Sequence, residues 1–528
     1  MTPDFDAIIV GSGPAGVSAA FPLVAAGLRV LMVDGGKQAD ATPPSRPFLT
    51  ERTENDEQWK WMAGEDFHAL KMRESVSPKL RVPAYAPVFK DFENANRIAA
   101  DDFIAVGSLA SGGLSNAWGC GVARLSPSEL SEFPFPASDL DRSYENVARR
   151  IGISGREDDD LAGYFGLDDW AQPPVEMDQL HLRMLGRYAS RRANLLSSGF
   201  RLGRSRVAAL TQDHAGRKAC DNSGNCLWGC HRRALYCSAD ELPALQRHAN
   251  FHYEKGLIVE VVERQGEHWS VSGSRSNGSE HRTVTSRKVI LAAGTLATTR
   301  LALASLKNAR TTPLLSCPTA AFLLWVPSQL GIPRKNAFGL GQLSFALQLE
   351  ENLSGFGSTF GTTGIPATEF VRHLPLGRRY GVDLLRGLLS SCLVGNLFLP
   401  GRLSSARTFL KDDGSLRIEG GYADNVTQLM RAAEKRLRRV YGRLGAFLLP
   451  MSFTVGRPGG DIHYAGTLPM RKIPQPGESN TSGELYGAEG LHVVDGASLS
   501  SLSEKSHTLT IMANADRIGR IVASSHRA

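Results

Sequence analysis

The first 34 residues constrain the fold more than any other part of the chain. Asp6-Ala-Ile-Ile-Val10 is short, apolar and ended by glycine, the pattern of a fully buried strand. Gly11-Ser-Gly13-Pro14-Ala15-Gly16 follows, then an alanine-rich helix over Val17–Ala26 closed by Gly27, then a second strand, Arg29–Val33, ending at Asp34. This is a βαβ unit with G-x-G-x-x-G in its first turn and an acid 23 residues after Gly11. Gly11 permits the tight turn, and Gly13 lets backbone N–H groups approach a pyrophosphate. Pro14 and Ala15 carry the chain into the helix start, and Gly16 allows close helix–strand packing. The positive helix end faces the phosphates. Asp34 is placed to accept hydrogen bonds from ribose hydroxyls.

Composition narrows the class further. A chain of 528 residues that is 42% hydrophobic and 21% charged is neither disordered nor a coiled coil, and its length calls for more than one domain. Its 54 glycines follow no G-x-y period, so they signal close backbone approach rather than collagen. Sixty basic against 53 acidic residues give a net charge of +7, which favours anionic ligands without requiring nucleic acid. Met1–Asp6 lacks the basic and apolar regions of a signal peptide. No apolar stretch reaches about 18 residues. Gly387–Pro400 is too short, is broken by Ser390, Ser391 and Asn396, and reads as a buried core segment. The expected compartment is therefore a reducing cytoplasm, where the seven cysteines are not read as disulfides.

The glycine motif by itself does not separate FAD from NAD, although its place at the start of a long chain favours FAD. Three further blocks carry a resemblance: Gly112-Gly113-Leu-Ser115-Asn116-Ala117-Trp118, His463-Tyr-Ala-Gly-Thr467-Leu-Pro-Met470, and Gly490–Ser498 followed by His507-Thr508 to Arg517. In order and spacing these blocks resemble the glucose–methanol–choline (GMC) oxidoreductases, FAD-dependent alcohol and sugar oxidases and dehydrogenases. The first block is most similar to the pyranose-oxidase branch. The resemblance implies an α/β fold: a Rossmann-like FAD-binding domain and an α+β substrate-binding domain on an antiparallel sheet. It implies that His463 is the general base, taking a hydroxyl proton while hydride leaves for the flavin, a task that suits an imidazole. His507 or Ser506 would supply the second hydrogen bond, with His507 the preferred partner. Gly112, Gly113, Ser115, Asn116, Asp495 and Thr508 would contact the cofactor. The pyranose-oxidase branch attaches flavin through a histidine just before the tryptophan. That position is Ala117 here, which implies non-covalent FAD.

Four cysteines fall within 18 residues, Cys220-x5-Cys226-x3-Cys230-x6-Cys237. Structural zinc prefers C-x2-C knuckles, which this spacing lacks. The segment resembles the cluster-binding loop of bacterial FAD-dependent glucose dehydrogenases. On that resemblance Cys220, Cys226 and Cys230 would hold a [3Fe–4S] centre, the alternative being reduced structural thiols. Cys120, Cys317 and Cys392 read as buried small residues.

Expected strands include Leu257–Val262, Trp269–Val271, Lys288–Leu291, Ala320–Val326 and Gln342–Leu349. The expected organisation is an FAD domain over 1–130, 200–305 and 455–528, a helical and loop-rich insertion over 131–199, and a substrate domain over 306–454. Residues 429–449 form a basic amphipathic helix whose face is either simply solvated or meets an anionic surface. The leading function is oxidation of a primary or secondary alcohol on a sugar- or polyol-like substrate, with an anionic or carrier-linked form as one option, by hydride transfer to FAD. The alternatives are a dehydrogenase subunit passing electrons through the cluster to a redox partner, and non-redox lyase or isomerase chemistry on the same fold.

Overall fold

The computed structural model describes residues 3–39, 43–67, 69, 78–276, 278, 280–306, 310–362 and 375–527. Two seven-stranded sheets organise it. In the first, the strands run in the order Phe251–Lys255, Val30–Asp34, Phe5–Val10, His281–Leu291, His268–Arg275, Leu257–Gln265, with Leu491–Val493 beside His281–Leu291. Phe5–Val10 is parallel to both neighbours, Ala7 facing Val30 and Lys288, whereas the last two strands of the order turn back as antiparallel hairpins. Residues 7–10 and 30–34 are buried on both faces, as a near-continuous apolar run requires in a covered parallel sheet.

Five helices, named in chain order, cover the sheets. They are α1 (Pro14–Ala25), α2 (Gln179–Ser197), α3 (Thr295–Ser305), α4 (Val426–Arg443) and α5 (Thr508–Arg527). On the first sheet α5 lies against α1 so closely that a Cβ at Gly519 would come within 2.7 Å of the Ala19 carbonyl oxygen. α2 and α4 cover the second sheet. It is antiparallel throughout, ordered Phe447–Leu448, Thr319–Trp325, Cys392–Phe398, Leu353–Gly361, Leu343–Glu350, Phe200–Arg204, with Thr454–Val455 also on Thr319–Trp325. Strand alternation sorts its faces. Leu343, Phe345, Leu347, Leu393 and Leu397 join the core beneath α2 and α4, whereas Ser344, Val394, Asn396 and Phe398 line a cavity on the other side.

Two sequence expectations shift. Phe200–Arg204, placed by sequence at the start of a returning FAD segment, is the edge strand of the second sheet, pairing Leu202 with Phe345. The basic helix spans 426–443 rather than 429–449, and its stripe of Leu429, Ala433, Leu437 and Tyr441 packs into the second core. Gly445, at φ +72°, turns the chain out of the helix, so Phe447 lies on a short exposed strand. The stretch Gly387–Pro400 is the end of a helix followed by the strand Cys392–Phe398. No helix among the described residues is long and apolar enough to cross a membrane.

Candidate active site

The turn after the first strand is held by sterics. Gly11 sits at φ +107°, and a Cβ there would come within 2.3 Å of the Ala292 carbonyl oxygen. A Cβ on Gly16 would lie 2.0 Å from the Gly11 carbonyl oxygen, so only glycine lets α1 cross this closely. A Cβ on Gly13, by contrast, would meet no protein atom within 4 Å. Gly13 faces a cavity of about 570 Å³ running between the two sheets.

At the end of Val30–Asp34 the Asp34 carboxylate accepts from the Ser12 hydroxyl, from the Tyr253 hydroxyl at 3.0 Å and from the Gly36 N–H at 2.8 Å. Burial raises its pKa, and these bonds oppose the rise. Ser12 Oγ also accepts from the Gly112 N–H at 3.0 Å, tying the second glycine-rich block to the first. Gly11, Gly13, Pro14, Ala15, Asp34, Gly113, Ser115, Ala117, Asp495 and Thr508 all line the cavity.

Gly112 and Asn116, expected to touch a cofactor, stand behind the wall instead. The Asn116 amide donates to the carbonyls of Ser111 (2.9 Å) and Gly113 (2.8 Å), and so shapes the turn that presents Gly113 and Ser115. Gly16 likewise packs rather than lines. Asp495 accepts from Gly294 N–H (2.9 Å), Thr298 Oγ1 (2.5 Å) and Ala497 N–H (3.0 Å); burial still carries its pKa up to about 6.

The other end of the cavity holds two histidines. His463 stacks on Phe398, with ring centroids 4.7 Å apart, and meets the edge of His507 at 4.9 Å and 85°. Burial lowers the pKa of His463 to about 4 and that of His507 well below its usual value, the second also through His463. Ser506 lines the cavity beside them and packs against Gly121, where an added Cβ would come within 2.7 Å of its hydroxyl. The loop carrying Ser506 and His507 is pinned by Lys505, whose ammonium reaches Glu129 at 2.7 Å and the Tyr164 carbonyl at 2.7 Å.

Three groups at this end were not singled out from sequence for the site. Asp461 Oδ2 lies 3.7 Å from His463 Nδ1, and Cys317 Sγ completes a set whose donor atoms are all within 4.8 Å of one another. Phe398 was hidden inside a strand. Only the position of Asp461, two residues before His463, offered a signal. Elsewhere on the wall the Lys79 ammonium donates to the Trp118 carbonyl at 2.6 Å.

Cys220, Cys226 and Cys230 do not line the cavity, and their sulfurs are not gathered within 4.8 Å. Cys220 packs on Asn222, and Cys226 accepts from the Gly339 N–H at 3.3 Å. Burial pushes the Cys220 thiol up to about 11 and that of Cys226 higher still. The [3Fe–4S] expectation gains no support from this arrangement, and all seven cysteines are free.

A parallel-cored sheet joined to a wide antiparallel sheet, with the cavity between them, matches the GMC oxidoreductase fold. The pyridoxine 4-oxidase from Mesorbium loti superposes on the chain with a TM-score of 0.61 over 99% of each chain, at 14% identity. The 6'''-hydroxyparomomycin C oxidase of Streptomyces lividus is 25% identical over 569 aligned positions, covering 98% of this chain and 91% of that protein. No protein-family model matches. Both relatives are oxidases, and with the shared fold they make this chain an oxidoreductase.

Proposed function

We propose that the chain oxidises the CH–OH group of a small-molecule alcohol, using non-covalently bound FAD. The observation that carries the reading is that the dinucleotide-type turn, Asp34 and the His463–His507 pair all face one cavity. The residues present suit a flavin dinucleotide. The open Cβ side of Gly13 leaves room for a pyrophosphate, Asp34 suits a ribose, and the N-terminus of α5 at Thr508 favours negative charge on a ring. When bound, the flavin supplies the hydride acceptor.

The chain's own residues handle the proton and the geometry. His463, kept neutral by burial, takes the hydroxyl proton as the C–H bond breaks, and His507 orients the same oxygen. Phe398 fixes the plane of the His463 ring. The wall formed by Ser344, Val394 and Asn396 decides which alcohol enters. The relatives are named for a hydroxyparomomycin and for pyridoxine, and both names favour a hydroxyl-bearing substrate over a lyase or isomerase reaction. The net charge of +7 favours one that carries negative charge.

The test is anaerobic mixing of the purified protein with a panel of primary and secondary alcohols, with the flavin spectrum as the readout. Bleaching by at least one alcohol is expected; a flavin that no alcohol reduces would overturn the reading. Denaturation is expected to release all of the yellow chromophore, because Ala117 offers no nucleophile. Flavin retained on the unfolded chain contradicts the non-covalent assignment.

A further inference from the structure

Asp461 is a buried carboxylate with unusual surroundings. No side chain hydrogen-bonds either of its oxygens, and the buried Nδ1 of His463 has no hydrogen-bond partner. The two groups face each other at 3.7 Å. The residue between them, Ile462, sits at φ +63°, a left-handed conformation that costs a β-branched side chain about 1–3 kcal/mol. Strain of this kind persists only where the surroundings enforce it, and here it lies between the two side chains in question.

We infer that Asp461 is the positioning residue for His463: its carboxylate takes the Nδ1–H, which leaves Nε2 toward the cavity as the lone-pair acceptor. The inference rests on the proposed alcohol oxidation and deepens it. In that reaction the substrate O–H bond breaks and its proton forms a bond to Nε2. The imidazole then carries two N–H groups, and its positive charge lies against the Asp461 carboxylate. Contacts between catalytic groups are commonly long until substrate closes the site, so 3.7 Å suits a hydrogen bond that tightens on binding.

Competing partners are committed elsewhere. The Cys317 thiol donates to the Ser503 carbonyl at 3.4 Å, and the Tyr464 hydroxyl is bonded to Val106 at 2.8 Å. Tyr422, whose buried hydroxyl is unpartnered, Glu504 beyond Cys317, and His507 edge-on to His463 are the remaining titratable groups around the pair. Burial pushes Asp461 up to about 8, against the pull of nearby backbone N–H groups, while it pushes His463 down to about 4. Below the upper value the pair holds two protons, one on the carboxyl and one on Nε2, and the base is blocked. Above it one proton remains, on Nδ1, and the base is free.

Two measurements on the holoprotein test this. The anaerobic rate of flavin reduction by a reactive alcohol is expected to rise with a single ionisation between about pH 7 and 9 in the native protein. In D461N it is expected to be about 10- to 100-fold slower and flat with pH. Separately, ¹⁵N-imidazole NMR without substrate, with the His463 signal assigned through H463N, is expected to show the proton moving from Nε2 to Nδ1 over the same range. D461N is expected to hold one tautomer throughout. An unchanged pH profile in D461N, or a native His463 tautomer that never switches, overturns the inference. If D461N fails to fold, the native titration alone decides. If no alcohol bleaches the flavin, the functional reading fails while the NMR experiment still decides the pair.

Discussion

Two aspartate–histidine pairs among the described residues, each with a buried carboxylate, have opposite characters. In the first, Asp178 caps α2 by accepting from the His181 N–H at 3.0 Å, binds the His181 ring at 2.9 Å and pairs with Arg334 at 2.6 Å. Burial alone would raise its pKa, but His181 and Arg334 outweigh it and hold the carboxyl far below the ordinary range. In the second, Asp461 sits 3.7 Å from His463 with no side-chain hydrogen bond to either oxygen, and burial outweighs the pull of nearby backbone N–H groups, lifting it to about 8. The two carboxylates are about equally buried, whereas His181 is fully buried and His463 is partly open to the cavity, so what separates the carboxylates is the charged and side-chain partners around their oxygens.

The histidines should break the symmetry most sharply. H463N is expected to slow flavin reduction about 10²- to 10⁴-fold while the protein stays folded and yellow. H181N should leave the rate per folded molecule unchanged and lower the urea midpoint. Equal effects of the two on rate would erase the distinction. The carboxylates come next. D178A leaves Arg334 buried and unpaired, with an expected cost of about 3–5 kcal/mol in denaturant titrations. D461N replaces a carboxyl that is protonated below about pH 8 with an amide of the same shape, and near pH 7 it is expected to be close to neutral; a large loss in D461N would show that the carboxyl holds a structural hydrogen bond.

The smallest effect is in pH dependence. The folded pKa of Asp461, about 8, lies above its unfolded value of about 3.9, so the folded state binds the extra proton between them. Its contribution to stability therefore falls as pH rises through that window. His463 contributes the opposite slope only up to its unfolded value of about 6.5. Between pH 6.5 and 8 the Asp461 slope stands alone within the pair, and the native protein should lose more stability over this interval than D461N does. Parallel losses would remove Asp461 as its source. Asp178 contributes the reverse: its stabilisation is in place above about pH 4 and is lost only as pH falls through its depressed value.

Legibility from sequence followed the range of the physics. The βαβ unit was readable because its signals are local: an apolar run, three glycines with distinct steric duties and an acid at a strand end. His463, His507, Asp495 and Thr508 sit in blocks of recognisable spacing, and all four line the cavity. Gly112 and Asn116 do not line the cavity, and spacing does not say which carbonyls an amide will satisfy. The basic helix was drawn too long because Leu444 and Phe447 continue the apolar rhythm past the turn at Gly445. The cysteine spacing suggested a shared metal, yet Cys220 and Cys226 each take separate neighbours. Asp461 escaped although it stands two residues before His463, because its character comes from burial without a charged or hydrogen-bonded side-chain partner, and no pattern of residue types records that.

The packing of α5 on α1, with Leu491–Val493 laid beside His281–Leu291, means that the last forty residues finish the core that the first thirty begin. During synthesis the strand Phe5–Val10 and α1 therefore leave the ribosome with one face bare, and they stay so until Leu491–Val493 and α5 have been made. A chain stalled after residue 480 would leave Ala19 and Pro22 of α1 without the helix that packs on them. Such a chain would depend on chaperones, and a proteolytic cut near the carboxyl end would damage the nucleotide-type turn at the amino end.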